Sequence, residues 1–206
     1  MKHLGTVYDN ESDLLKALIQ VHAPRGIECD PMYFKGNFYK NGVVELTWKF
    51  DIEPLDGVMQ GDARDLSMHI KAKTLYSMIL DPPFMFGIHG KSEQYYASKT
   101  YGIFKNFREL SELYIDILDE AYRMLQRGGV LFFKCQDYTD SKTTMTHCFV
   151  YQWAMEAGFY AKDLAILHLP KGKVANHKLT QRHLRKHHSY FWVFEANRCK
   201  VHNSGC

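Results

Sequence analysis

The sequence predicts an α/β fold, a doubly wound sheet of about seven strands within a single domain over residues 1–206. Three observations predict it. Short apolar runs alternate with amphipathic helical patterns, the signature of strands joined by crossover helices. Several of those runs stop at an acid or another polar group: Asp30, Asp51, Asp62, Asp81 and the stretch 134–137. Residues 130–133, Val-Leu-Phe-Phe, are apolar on both faces, as a central parallel strand covered by helices on each side should be.

In chain order, capping residues at 9–12 precede Leu14, Leu15, Ala17, Leu18 and Val21, whose spacing predicts a short amphipathic helix ending before Pro24. A buried strand over 27–29 leads into the turn Asp30-Pro31. Further strands are predicted over 43–50, ending at Asp51, over 57–60, ending at Gly61-Asp62, and over 76–80, stopped by Asp81-Pro82-Pro83. Leu110, Leu113, Tyr114, Ile117, Leu118, Ala121 and Leu125 form one face of a helix over 107–126, with Gly128-Gly129 as its stop. Strand 130–133 follows, then a helix over 143–157 closed by Gly158, and two last strands over 164–169 and 190–194. Little helical pattern follows Asp30. Residues 32–42 are aromatic, lysine-bearing and interrupted by glycine, so the first crossover helix is expected to be shortened or lost.

Composition bounds the rest. With 206 residues, 46% hydrophobic and 24% charged, the chain can bury a sizeable core. Its net charge of +3 is too small to demand a polyanionic partner. Five cysteines, an odd number with no CxxC pair, argue against a disulfide framework or a zinc ribbon and for a reducing, cytoplasmic setting. No apolar run reaches the length of a membrane span. No metal site is expected: His183, His187 and His188 have no cysteine or acid nearby to complete a ligand set.

The most informative stretch is Asp81-Pro82-Pro83-Phe84. Two prolines after a strand fix the backbone and leave a carbonyl free to face a ligand. Asp81 and the Pro82 carbonyl can accept hydrogen bonds from an exocyclic amine, and the Phe84 ring can stack on the base carrying it. The segment resembles the [DNS]-P-P-[FYW] motif of S-adenosylmethionine-dependent amino-methyltransferases, which modify adenine N6, cytosine N4 or guanine N2. Gly61-Asp62-Ala63, continuing to Leu66, is similar to another segment of those enzymes. By that likeness Asp62 binds the adenine amine of the cofactor, and Asp51 or Glu53 takes the ribose hydroxyls. Asp30-Pro31 followed by Gly36 resembles the first cofactor motif, which implies that Asp30 lies near the cofactor ammonium and that Gly36 permits close backbone approach. The similarity runs from about residue 27 to 194 and is nearest to small phage and prophage DNA adenine-N6 methyltransferases. It implies a Rossmann-like methyltransferase sheet and S-adenosylmethionine as cofactor. Gly36 alone matches the glycine loop.

From Leu164 to Phe194 there is no Asp or Glu, while Lys171, Lys173, Lys178, Arg182, Arg185 and Lys186 stand there with five histidines. This basic segment, 170–188, between the last two strands suits phosphate contacts and points to nucleic acid, double-stranded DNA first. Segment 85–107, rich in aromatics, is a candidate substrate loop. After the fifth strand, Gln136 or Asp137 is expected to face the substrate. No separate target-reading domain is visible, so target choice must lie in these two segments, in a homodimer partner or in a specificity subunit. Two other readings stay open: a cytosine-N4 or RNA-base amino-methyltransferase, and a non-catalytic nucleic-acid-binding module on a decayed methyltransferase fold.

Overall fold

The computed structural model describes residues 3–43, 46–87, 104–139, 142–169, 182–184 and 186–197. Its elements are β1 (Val7–Tyr8), α1 (Glu11–His22), β2 (Cys29–Asp30), β3 (Trp48–Asp51), β4 (Met59–Gln60), β5 (Leu75–Leu80), α2 (Phe107–Met124), β6 (Leu125–Cys135), β7 (Tyr138–Thr139), β8 (Thr143–Thr144), α3 (Thr146–Ala157), β9 (Phe159–His168) and β10 (His188–Ala196). Strands β7 and β8 form a separate hairpin; the others make an eight-stranded sheet in the order β1-β9-β10-β6-β5-β2-β3-β4. Strand β10 is antiparallel to both its neighbours, and every other pairing in the sheet is parallel.

Period-2 alternation sends side chains of the central strands to opposite faces. Met78 and Leu80 of β5, with Leu131 and Phe133 of β6, pack against Leu110, Tyr114, Ile117 and Leu118 of α2 and Val150 of α3. Ile79, Val130 and Phe132 face the other way, onto Leu14, Leu15 and Leu18 of α1. Helices on both faces make the fold doubly wound, as expected. Asn10 caps α1 through the Asp13 N–H (3.1 Å), and Asn106 caps α2 through the Glu109 N–H (3.1 Å).

The main sheet has eight strands, in keeping with the expected count of about seven; the short β1, only two residues long and without periodicity of its own, pairs in parallel with Ile166 and Leu167 of β9. Three expectations are corrected. Gly128-Gly129 does not stop α2, which ends at Met124. Both glycines lie in β6, where the register jumps from Leu75↔Leu125 to Ser77↔Val130. Gly128 has φ +76°, and a Cβ on Gly129 would sit 2.9 Å from the Gln126 carbonyl oxygen, so the bulge needs both. Helix α3 starts at Thr146 instead of 143, because Thr143 and Thr144 pair with Thr139 and Tyr138. Strand β3 is shorter than 43–50, its described upstream residues Val43 and Leu46 packing as loop side chains under α1. The first crossover is indeed reduced: between β2 and β3 the described helical structure is one 3-10 turn, Asn37–Tyr39.

Chain direction gives the sheet a switch point. From β2 the chain builds outward through β3 to β4, then returns to lay β5 on the other side of β2 and builds away through β6. Ligands in open α/β sheets bind in the crevice outside the carboxyl ends of the strands at such a point. Asp30 ends β2, and Asp81 follows β5.

Candidate active site

A cleft of about 250 Å³ opens at that switch point, lined by Glu11, Asp30, Asp81, Pro82, Pro83, Phe84, Lys134 and the aromatic side chains of segment 33–39. A second cleft of about 280 Å³ is bounded by Pro31, Gly61, Asp62, Ala63, Ile52, Phe104 and α2. Met32 lines both, so the two are neighbours across one side chain. The structure thus brings together the tetrapeptide with Asp30 in one cleft, and Asp62 with Gly61 and Ala63 in the next.

The tetrapeptide is held from below. Buried Tyr114 of α2 donates its hydroxyl to the Pro83 carbonyl at 2.8 Å, which fixes the turn that carries Pro82 and Phe84. Asp81 lies beside Lys134 because Leu80 pairs with Phe133, so the next residue of each parallel strand emerges at the same edge. The Lys134 ammonium donates to Asp81 Oδ2 at 3.1 Å and pairs with Glu11 Oε1 at 2.9 Å. Burial pushes the Asp81 carboxyl up from the ordinary aspartate range; the charge and hydrogen bond of Lys134 pull it back, and Glu11 opposes them. Burial would lower the Lys134 ammonium, but Asp81 and Glu11 outweigh it and hold the group charged.

Asp30 is buried, with Oδ1 taking the Met32 N–H (2.9 Å) and Oδ2 the Tyr39 hydroxyl (2.8 Å). Its carboxyl is pushed up to about 7 by burial, which the two donors only partly offset, and nearby Asp81 and Asp51 add to the push. Gly36 has φ +60° and lies beneath Tyr33, whose ring stacks on Tyr39 at 5.3 Å between centroids. Asp51 lines neither cleft: its oxygens accept the backbone N–H groups of Phe34 (2.8 Å) and Glu53 (2.9 Å), tying the loop after β2 to the end of β3. Glu53 is exposed. Asp62 is gripped by the Arg64 guanidinium (2.6 Å to Oδ2), which holds its carboxyl below the usual aspartate range.

Of the residues after β6, Asp137 is buried, and its Oδ1 meets His147 Nδ1 at 2.7 Å at the start of α3, where the ring stacks on Tyr190. It braces α3. The sequence places Lys134 in the polar stretch 134–137 at a strand end but gives it no role of its own, and it passes over Glu11. The signal for Lys134 was its place after the fifth strand, but Glu11 sits on a helix far from the motif and carried none. Lys171, Lys173, Lys178 and Arg185, and most of segment 85–107, lie outside the described residues. Arg182 and Lys186 stand in the connection from β9 to β10, which leaves β9 at its carboxyl end, the edge of the sheet that carries Asp30 and Asp81.

No family model matches the sequence, and no curated protein matches it. Solved structures do match the fold. They include TrmN from Thermus thermophilus (16% identity, TM-score 0.50, covering 88% of this chain and 48% of that one). The cytosine-N4-specific PvuII DNA methyltransferase is similar too (15%, TM-score 0.50, 68% and 48%), as is a SAM-dependent methyltransferase from Thermotoga maritima (15%, TM-score 0.50, 91% and 87%). The chain has a Rossmann-like methyltransferase fold. It spans about half the length of the TrmN and PvuII methyltransferases it resembles. In this methyltransferase fold the crevice at the switch point is the place for a ligand, and it is where the two clefts lie.

Proposed function

We propose that this chain is an S-adenosylmethionine-dependent methyltransferase acting on the exocyclic amine of a nucleic-acid base, adenine N6 in DNA first. One observation carries the reading: Asp81-Pro82-Pro83-Phe84 stands at the switch point of a methyltransferase fold, with its acid and its aromatic ring both lining a cleft. The likeness to a cytosine-N4 DNA methyltransferase supports an amino group as target; Asp at position 81 is the reason for placing adenine first.

The clefts fit the cofactor. Two adjacent cavities that share Met32 in their walls suit a long ligand with two ends, and their combined size is that of small-molecule sites. Asp62, with Gly61 and Ala63, would hold the adenine end. Asp30 and the aromatic wall from Tyr33 to Tyr39 would hold the cationic amino-acid end. When bound, S-adenosylmethionine would supply the reacting methyl from its sulfonium, leaving a thioether, and the methylated amine would lose one proton to water. The protein's part is placement, which can supply roughly 7–11 kcal/mol of barrier lowering. Asp81 orients the amine and attracts the positive charge that grows on its nitrogen. Phe84 stacks on the base, and Tyr114 keeps the turn rigid.

The test is transfer of labelled methyl from S-adenosylmethionine to unmethylated duplex DNA, with bulk RNA alongside and nucleoside digestion afterward. N6-methyladenine from DNA is expected. Asp81→Ala should lose at least about 10²-fold in kcat while still binding cofactor. Label only in N4-methylcytosine or in RNA would move the target; no label in any pool, with no calorimetric binding of cofactor, would overturn the enzyme reading.

A further inference from the structure

Lys134 has a place in the cleft that methyl placement by Asp81 and Phe84 leaves unused. Its ammonium is bracketed by two carboxylates, Asp81 Oδ2 at 3.1 Å and Glu11 Oε1 at 2.9 Å. It also lies 4.8 Å from the Phe38 ring centroid and 5.7 Å from that of Phe191, so apolar walls as well as charges fix its direction. The three ionic groups come from three elements: Asp81 follows β5, Lys134 lies on β6 and Glu11 opens α1. A lysine whose only task was solubility would leave its head in water; this side chain is 18% exposed and points into the crevice.

We propose that Lys134 is a positioning residue of this site: anchored by Glu11, it grips one carboxylate oxygen of Asp81 and leaves the other directed at the incoming base amine. The inference rests on the methyltransferase reading given above. Without Lys134 the partly buried carboxyl would lose its one cationic partner among the described residues and drift toward the neutral acid. The neutral acid accepts hydrogen bonds poorly and no longer attracts growing positive charge. The other titratable groups around Asp81 are Glu11 on α1, Asp30 at the end of β2 with Tyr39 bonded to it, Tyr114 on α2 and Cys135 on β6. None of them is cationic, so Lys134 alone of this group favours the charged carboxylate. Glu11 matters in turn because a single carboxylate would leave the flexible lysine more orientations than two carboxylates do.

The test compares wild type, Lys134→Met and Lys134→Arg, without cofactor and in turnover. In ligand-free protein labelled with 13C at aspartate carboxyls, the Asp81 resonance is assigned by its loss in Asp81→Asn and titrated. Lys134→Met should raise its midpoint by about 1–3 pH units, and Lys134→Arg should restore most of it. The acid limb of the pH–kcat profile should move by the same amount, with KM for cofactor little changed. A midpoint in Lys134→Met indistinguishable from wild type, or wild-type kcat across the profile, would overturn the proposal. If Lys134→Met does not fold, Lys134→Gln gives the same comparison. Because the titration needs no substrate, wild-type protein that methylates no nucleic acid would defeat the functional reading while the carboxyl shift still decides the pairing.

Discussion

Asp30 departs far from the ordinary behaviour of an aspartate. A carboxyl pushed up to about 7 is half-neutral near physiological pH. If it receives the cofactor ammonium, affinity should strengthen as pH rises from 6 to 8, when the group becomes ionised. Calorimetry over that range checks this, and Asp30→Asn should bind weakly with a flat profile. The same shift has a stability consequence. The folded state holds this proton more tightly than the unfolded chain, where aspartate titrates near 4. The stabilisation is therefore full below about pH 4 and is lost as pH rises through about 7. Thermal melts should show Asp30→Asn gaining on wild type from pH 4 to pH 8. A constant gap would mean that the buried carboxyl does not titrate in that window. Asp62 shows the opposite behaviour: Arg64 keeps it ionised and occupied, so if Asp62 takes the adenine amine of the cofactor as proposed, that amine must share or displace the guanidinium.

Among the elements, the loop 31–41 stands where a crossover helix would ordinarily lie. It is organised by side chains: Tyr33 stacked on Tyr39, Tyr39 bonded to Asp30, and Phe34 N–H bonded to Asp51. Gly36 is the position where this arrangement tolerates no side chain, since a Cβ would fall 2.3 Å from the Tyr33 hydroxyl oxygen and φ is +60°. Gly36→Ala should cost about 1–2 kcal/mol in backbone strain and displace the Tyr33 ring. Cofactor affinity should fall with it; unchanged affinity and an unchanged melting temperature would show that the loop relaxes freely. The loss of the helix was legible in the sequence, because a run of aromatics broken by glycines has no 3.6-residue period. That the same run would instead form one wall of a cleft was not legible, since it depends on Asp30 and Asp51 reaching back from two different strands.

For the whole molecule, the sheet order sets one edge apart. The ends of β2, β5, β6 and β9 and the start of α1 all meet there, so Asp30, Asp81, Lys134, Glu11 and the basic connection to β10 share it. A polyanion lying along that edge would place a base at Phe84. Binding to duplex DNA should then weaken steeply with salt, roughly one unit of logarithmic slope for each phosphate contacted. Replacing Arg182 and Lys186 together should lower that slope by about 1 to 2. A slope unchanged in the double variant would remove these two residues from the interface. No helix among the described residues is long and apolar enough to cross a membrane.

By itself the sequence determined the doubly wound class, the acids at the strand ends, the helix-poor first crossover and the tetrapeptide. Each of these is written in neighbouring residues, as periodicity, punctuation or motif. Only the tertiary structure decided that Lys134 and Glu11 enclose Asp81, that Asp51 and Asp137 serve as braces, and that Asp30 titrates near neutrality. Those outcomes depend on strand order and on the register of β5 against β6. They also depend on β1, two residues long, bringing the start of α1 to the cleft edge. Pairings across such distances in the chain leave no local pattern, because they come from how the sheet buries its two faces.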